Sequence, residues 1–233
     1  QFMNQTIVIW NPKSGRSDQA VAARNRLDGR SDTVVRETKS ADDAVQFATE
    51  AAMNNAELIV AAGGDGTVNS VANGIVHAGC NTALAVLPIG TANDFALSLA
   101  IPDDIERAVD LFDTGSRRPI DLVEVETDTN QHCFVNVAAG GNSDRVTELL
   151  TDELKARWGP LCYLRGAIGL LADLETFKVS VTFDDEDPIE IDLWNVIIAN
   201  GRTNAGHLQV APRASLEDGL LDVEGDALGQ DVG

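Results

Sequence analysis

Apolar and polar positions along this chain follow two rhythms. In the first, short apolar runs alternate with helix-period stretches. Thr6 to Trp10 is apolar on both faces, as a strand inside a parallel sheet must be. A helix pattern follows, with Ala20, Val21, Ala23, Arg24 and Leu27 on it, Ser17 as its cap and Gly29 at its end. Thr33 to Arg36 is a second strand. Ser40 caps the next helix, Asp42 and Asp43 occupy its first turn, and Ala44, Val45, Phe47, Ala48, Ala51 and Ala52 lie along one side. Glu57 to Ala61 is a third strand, followed by a glycine turn and a helix running to Gly79. Ala83 to Leu87 is a fourth, and a helix near Asp104 to Phe112 closes the region. This alternation predicts an open parallel sheet covered by helices.

The rhythm changes after Thr114-Gly115-Ser116-Arg117-Arg118-Pro119. Ile120 to Glu126 and His132 to Val137 read as neighbouring strands joined by the polar turn Thr127 to Gln131. Helical stretches follow near Asp144 to Leu150 and Leu161 to Leu174. Phe177 to Phe183 and Ile189 to Ala199 pair across the acidic turn Asp184 to Pro188. Two domains are expected: residues 1–116, parallel α/β, and residues 117–233, antiparallel β with a helical insertion.

Composition adds a core and a charge. The 233 residues are 44 % hydrophobic, enough for a sizeable interior. No apolar run reaches the ~18 residues of a membrane span. Seventeen Lys plus Arg against 37 Asp plus Glu give a net charge of −20, and the only four lysines are Lys13, Lys39, Lys155 and Lys178. Such a surface disfavours nucleic acid as a partner. It suits a salt-rich cytoplasm, where screening relieves self-repulsion. Cys80, Cys133 and Cys162 are odd in number and widely spaced, which fits reduced thiols rather than a disulfide framework. His77, His132 and His207 lack ligand spacing and read as core or surface residues.

The candidate chemistry lies in three loops at the carboxyl ends of the predicted strands, where open parallel sheets bind ligands. The first is Asn11-Pro12-Lys13-Ser14-Gly15-Arg16, a turn with two cations. The second is Gly63-Gly64-Asp65-Gly66-Thr67-Val68-Asn69, and the third Pro88-Ile89-Gly90-Thr91-Ala92-Asn93-Asp94-Phe95. In the second, strand, glycine turn and helix start in that order aim backbone N–H groups at a phosphate, and the glycines let it approach. Asp65 would repel phosphate unless a divalent cation or its water shell stood between them. No Gly-x-x-x-x-Gly-Lys-Ser/Thr is present, so this is not a P-loop protein. Asn69 stands where a dinucleotide fingerprint needs its third glycine, and no Gly-x-Ser-x-Gly elbow appears.

Together these loops, with Ala211-Pro212 and Asp218-Gly219-Leu220-Leu221-Asp222-Val223, resemble the diacylglycerol-kinase-like catalytic fold, within it the bacterial and archaeal relatives of diacylglycerol and sphingosine kinases. Gly-Gly-Asp-Gly-Thr also occurs in NAD kinases and 6-phosphofructokinases. The Leu-Pro-x-Gly-Thr-x-Asn-Asp-Phe-Ala loop is closer to the lipid kinases. The resemblance implies an ATP-binding α/β domain and a C-terminal β-sandwich acceptor domain. It implies that Asn11, Pro12, Lys13, Ser14, Gly15, Thr38, Gly63, Gly64, Asp65, Gly66, Thr67, Val68, Asn69 and Thr91 hold ATP. Asp65, Asp94 and Asp121 match the acids that position Mg²⁺, partly through water. Ser215, Asp218 and Leu220, with Asp121 through water, match a structural Mg²⁺ site in the β domain. The implied activity is Mg²⁺-dependent transfer of the γ-phosphate of ATP to a lipid hydroxyl such as that of diacylglycerol. It would take place in the cytoplasm at a membrane surface, without a transmembrane segment and with a homodimer as a candidate assembly.

The chain departs from that pattern in places. The family continues beyond the Asp222-Val223 strand to an Asp-Gly-Glu turn carrying the catalytic base; here the chain reaches Gly233, so the β domain reads as truncated. Asp226, in Glu224-Gly225-Asp226-Ala227-Leu228, echoes that turn and is the candidate base. Ser70, Gly140-Gly141-Asn142-Ser143 and Ala205-Gly206-His207 also differ, the last two on the acceptor side. Two alternatives stand: an NAD kinase-like enzyme, and a catalytically silent nucleotide- or lipid-binding homologue.

Overall fold

The structure, a computed structural model, describes residues 5–14, 18–142, 176–206, 208–227 and 230–232, with backbone only at 226, 227 and 230–232. The expected helical insertion, Gly15, Ser17, Cys162 and His207 lie outside the described residues.

Four parallel strands, β1 (Thr6–Trp10), β2 (Thr33–Glu37), β3 (Leu58–Gly63) and β4 (Ala83–Pro88), form one sheet in the order β2-β1-β3-β4. Side chains of a strand point alternately to its two faces, and both faces are covered. Ile7, Ile9, Ile59 and Ala61 join one core with α2 (Ala41–Met53) and α3 (Asp65–His77). Val8, Trp10, Val60 and Ala62 join another with α1 (Asp18–Asp28) and α5 (Ile105–Thr114). All six residues of β3 are buried, which is why that strand reads as an unbroken apolar run. The expected alternation holds, with strand and helix ends shifted by at most two residues.

Local signals set the helix starts. Ser40 Oγ accepts the N–H of Asp43 at 3.1 Å, and the Asp43 carboxylate accepts the N–H of Ser40 at 3.3 Å, a closed capping box. Asp104 caps α5 through the N–H of Arg107 at 3.1 Å. Between α1 and α5, the Arg30 guanidinium binds Asp113 at 2.7 Å and Asp32 at 2.9 Å, and holds both carboxyls below their usual range. Most described arginines are paired with acids in this way.

The second half is antiparallel. β5 (Val123–Glu126) pairs with β6 (Gln131–Phe134) across the predicted polar turn. The long β9 (Ile189–Ala199) carries β12 (Asp222–Ala227) on one edge, and β7 (Val137–Gly141) and β8 (Phe177–Val181) on the other. β13 (Gln230–Val232) extends the sheet beyond β12, and β10 (Thr203–Asn204) pairs with β11 (Leu208–Gln209). The strand expected over His132 to Val137 is two strands in different sheets. The break falls at Val135 and Asn136, where Asn136 O accepts the N–H groups of Asn200 and Gly201 at 2.8 and 2.9 Å. Asn200, fully buried, donates its amide to Val135 O at 2.8 Å and Asp121 O at 3.0 Å.

The halves share a core, since Val135 and Leu216 pack into the α2–α3 side with Phe95. Asn73 of α3 exchanges two hydrogen bonds of 2.8 Å with the backbone of Cys133. No described helix is long and apolar enough to cross a membrane.

The tightest helix contact is at Gly74, where an added Cβ would lie 2.4 Å from Val45 O and 2.6 Å from the Ala48 Cβ. Gly74→Ala is expected to destabilise the fold by about 1–3 kcal/mol, read from urea unfolding, because backbone must move to admit it.

Candidate active site

The strand order places a topological switch between β1 and β3: the chain leaves β1 towards β2 and leaves β3 towards β4. Crevices beyond the carboxyl ends at such a point bind ligands. The loops after both strands meet there. The Asn11 amide donates to Thr67 Oγ1 at 3.0 Å, and Asn11 Oδ1 accepts the N–H of Lys13 at 3.0 Å. Thr38, one residue past β2, is held by its N–H on Trp10 O at 2.9 Å. Asn11, Lys13, Thr38, Gly66, Thr67 and Ser70 line a cavity of about 140 Å³, with Lys39 and Ser40 on its rim. Lys39 was not singled out from sequence; its position after Thr38, at the end of β2, is the signal that could have found it.

Glycine is required where these loops touch. A Cβ on Gly63 would lie 2.3 Å from Thr67 Oγ1, and one on Gly90 would lie 2.3 Å from the Gly64 Cα. Gly66 faces open space. Val68 is buried in the core, so its place in the site is that of backbone. Pro12 and Ser14 belong to the turn after β1, where the Ser14 N–H binds Asn11 O at 3.1 Å. Thr91 is exposed on the loop after β4. The Asn69 Oδ1 is buried without a partner among the described residues.

Asp65 and Asp94 meet. The end of the third loop is a short helix, α4 (Asp94–Ser98), which begins after Asn93, a residue in the left-handed region at φ 56°. Asn93 has no side-chain bond to the helix it precedes. It staples its own loop instead, accepting the Gly90 N–H at 3.1 Å and donating to Gly90 O at 3.0 Å. The cap comes from another helix: Asp65 Oδ1 accepts the Phe95 N–H at 2.8 Å and Oδ2 the Asp94 N–H at 3.2 Å. Asp94 is only 2 % exposed, and its Oδ2 accepts the Gly206 N–H at 2.9 Å. One acidic pair thus lies where α3, α4 and the β half converge.

Asp121 is seated on the loop of the other predicted metal site. Its Oδ2 accepts the Gly219 N–H at 2.7 Å, and its N–H binds Leu216 O at 2.7 Å. Asp218 Oδ1 accepts the Leu220 N–H at 3.1 Å, and Ser215 Oγ the Glu217 N–H at 3.3 Å. Asp121, Ser215, Asp218 and Leu220 therefore come together, offering oxygen donors of the kind magnesium prefers. Among the described residues no three His, Cys, Asp or Glu side chains gather closely enough to ligate one metal ion directly. Asp226 lies within β12, its backbone opposite Asn195 and Asp231, in a strand rather than a turn.

The chain is similar to proteins of known class. The diacylglycerol kinase catalytic domain family matches residues 5–125, and the YegS C-terminal NAD kinase beta sandwich-like domain matches residues 136–224. A probable lipid kinase YegS-like protein of Klebsiella pneumoniae is 37% identical over 93% of this chain and 72% of its own length. A diacylglycerol kinase of Bacillus subtilis is 36% identical over 95% of this chain and 73% of its own length. A crystal structure of a diacylglycerol kinase from Bacillus anthracis superposes with a TM-score of 0.74 at 27% identity, covering 96% of this chain and 74% of that one.

The Gly64–Gly90 approach is backbone against backbone, with no flexible side chain to yield. Gly90→Ala is expected to part the two loops and lower stability by about 1–3 kcal/mol, with the melting temperature as the readout.

Proposed function

The chain belongs to the diacylglycerol kinase catalytic domain family, whose named members here are lipid kinases, phosphotransferases to an alcohol group, and from that footing we propose an ATP-dependent, Mg²⁺-dependent transfer of phosphate to a diacylglycerol-like lipid. The observation that carries the nucleotide half of this reading is the cavity at the switch point, floored by Gly66 and walled by Asn11, Lys13 and Thr38. A phosphate chain would lie there against the amino end of α3, met by backbone N–H groups, the Lys13 ammonium and the hydroxyls of Thr38 and Thr67. Thr91 would complete the nucleotide contacts from the β4–α4 loop. Gly15 belongs to the same reading and lies outside the described residues.

Two separate sets of oxygen donors are of the kind a hard divalent cation takes: Asp65 and Asp94 at the crevice, and Asp121, Ser215, Asp218 and Leu220 on the loop of the β half. Magnesium, when bound, would neutralise charge on the transferring phosphate. Each Asp65 oxygen accepts one backbone N–H and keeps a lone pair for the cation or for its bound water. The chain's own work is to orient: the glycine turn holds the phosphates, and α4 fixes Asp94 facing the β half, from which the acceptor hydroxyl would approach. A carboxylate must take the hydroxyl proton, and Asp226 is the candidate on the β side. The reaction would run in the cytoplasm against a membrane face, and the surface charge of −20 suits a salt-rich interior.

The test is incubation of the full chain with [γ-³²P]ATP, Mg²⁺ and either diacylglycerol in mixed micelles or NAD. Label in the lipid is the expected result. Label in NAD moves the assignment to the NAD kinase-like alternative, and tight Mg-ATP binding with label in neither moves it to a silent binder. Gly66→Ala separates fold from ligand. Its Cβ meets nothing within 4 Å in the folded chain, so stability should hold or rise by up to about 1 kcal/mol. The same Cβ would stand where phosphate lies, so ATP affinity by calorimetry should fall about tenfold or more.

A further inference from the structure

The larger described cavity, of about 470 Å³, lies apart from the nucleotide pocket. It is bounded by the carboxyl end of α4, by Arg118 in the connection after α5, and by the loops around β10 and β11. Neither Asp65 nor Asp94 lines it, nor does any residue of the three nucleotide loops, so it does not open on the acidic pair.

Its charge runs against that of the molecule. In a chain of net charge −20, the cavity wall carries two guanidinium groups, Arg118 and Arg202, one from each half, and a single carboxylate, Glu217. Glu217 is already held by Arg118 Nη1 at 2.7 Å. Arg202 is fixed through its Nε, which donates to Ala214 O at 2.7 Å, and no carboxylate among the described residues forms an ion pair with it. That anchor leaves the Nη groups as donors on a rigid plane. Ser98 and Thr203 also line the space, but their hydroxyls donate to Asp94 O at 3.1 and 3.5 Å; the Ser215 hydroxyl accepts the Glu217 N–H and keeps its own proton for a ligand, and Gln209 stands exposed at the edge.

Two guanidinium groups, the Ser215 hydroxyl and the Gln209 amide around a shared space suit an oxyanion with several acceptor oxygens. A phosphate group alone would underfill the volume, and Leu97, Ala214 and Leu216 offer an apolar flank to a short carbon body. We propose that this cavity binds a phosphomonoester carried on a short, few-carbon body, at a site separate from the nucleotide crevice. The same chemistry is presented by a free phosphorylated metabolite and by the headgroup of a phosphorylated lipid. The proposal does not depend on the kinase reading.

The experiment is calorimetric titration of the full chain with glycerol 3-phosphate, with glycerol as the blank, beside flotation with phosphatidylcholine vesicles containing phosphatidate. Saturable binding of glycerol 3-phosphate assigns the free source; capture only by phosphatidate vesicles assigns the lipid headgroup. In either arm Arg118→Ala should weaken binding about tenfold or more. Arg118 also ties Leu99 O and Glu217, so Gln209→Glu at an exposed strand position gives a second reading that spares the fold, and it should weaken binding similarly. Lys13→Ala, in the nucleotide pocket, should leave binding unchanged. The proposal is overturned if neither arm shows saturable binding, if Gln209→Glu binds as the unaltered chain does, or if Lys13→Ala removes the binding.

Discussion

The Asp65 carboxylate accepts two backbone N–H groups at the start of α4, and much of the site follows from that one side chain. A helix of five residues has little stability of its own, because nearly all its polar backbone ends lie open. Here the N-cap residue, Asn93, is turned back into its own loop, so the cap must come from elsewhere. Asp65 supplies it from the first turn of α3, and charge makes those bonds stronger than a neutral cap would be. Fixing α4 fixes Asp94, and Asp94 in turn receives the Gly206 N–H from the β half. Glycine turn, acidic pair and second half are thus joined through one carboxylate.

The glycine spacing around it has a matching logic. Gly63 leaves room for Thr67, which takes the Asn11 amide across the switch point, and Gly90 leaves room for Gly64. The Asn11–Thr67 bond and the Gly64–Gly90 approach join loops that follow different strands, and no pair potential between sequence neighbours would reveal them. The acidic surface leaves the interior of this arrangement unaffected: the cations that sit among the acids are largely tied up in pairs such as Arg30 with Asp32 and Asp113, away from the crevice.

What was legible in the sequence was what local chemistry dictates. The run Leu58 to Ala62 is apolar on both faces because both faces are covered, so its strand announced itself. Ser40 and Asp43 stand at the spacing of a capping box, and they form one. The three polar loops were placed at one sheet edge because parallel strands leave no other choice. The misses were set by distant partners. α4 was hidden because its cap comes from Asp65, 29 positions earlier than Asp94. The apolar run to Val137 looked continuous, yet buried amides at Asn136 and Asn200 divide it between two sheets.

The bond between Gly206 and Asp94 spans 112 positions, which sets an order during synthesis. All four strands of the parallel sheet have left the ribosome once Pro88 has emerged. At about 5–20 residues per second, the partner of Asp94 follows α4 by about 6–22 s. Throughout that interval α4 is held by Asp65 and by the packing of Phe95 and Ala96 in the α/β core, and the acidic pair stands without its partner from the β half. Phe95, fully buried in the finished chain, waits through the same interval for Val135 and Leu216 to complete its core.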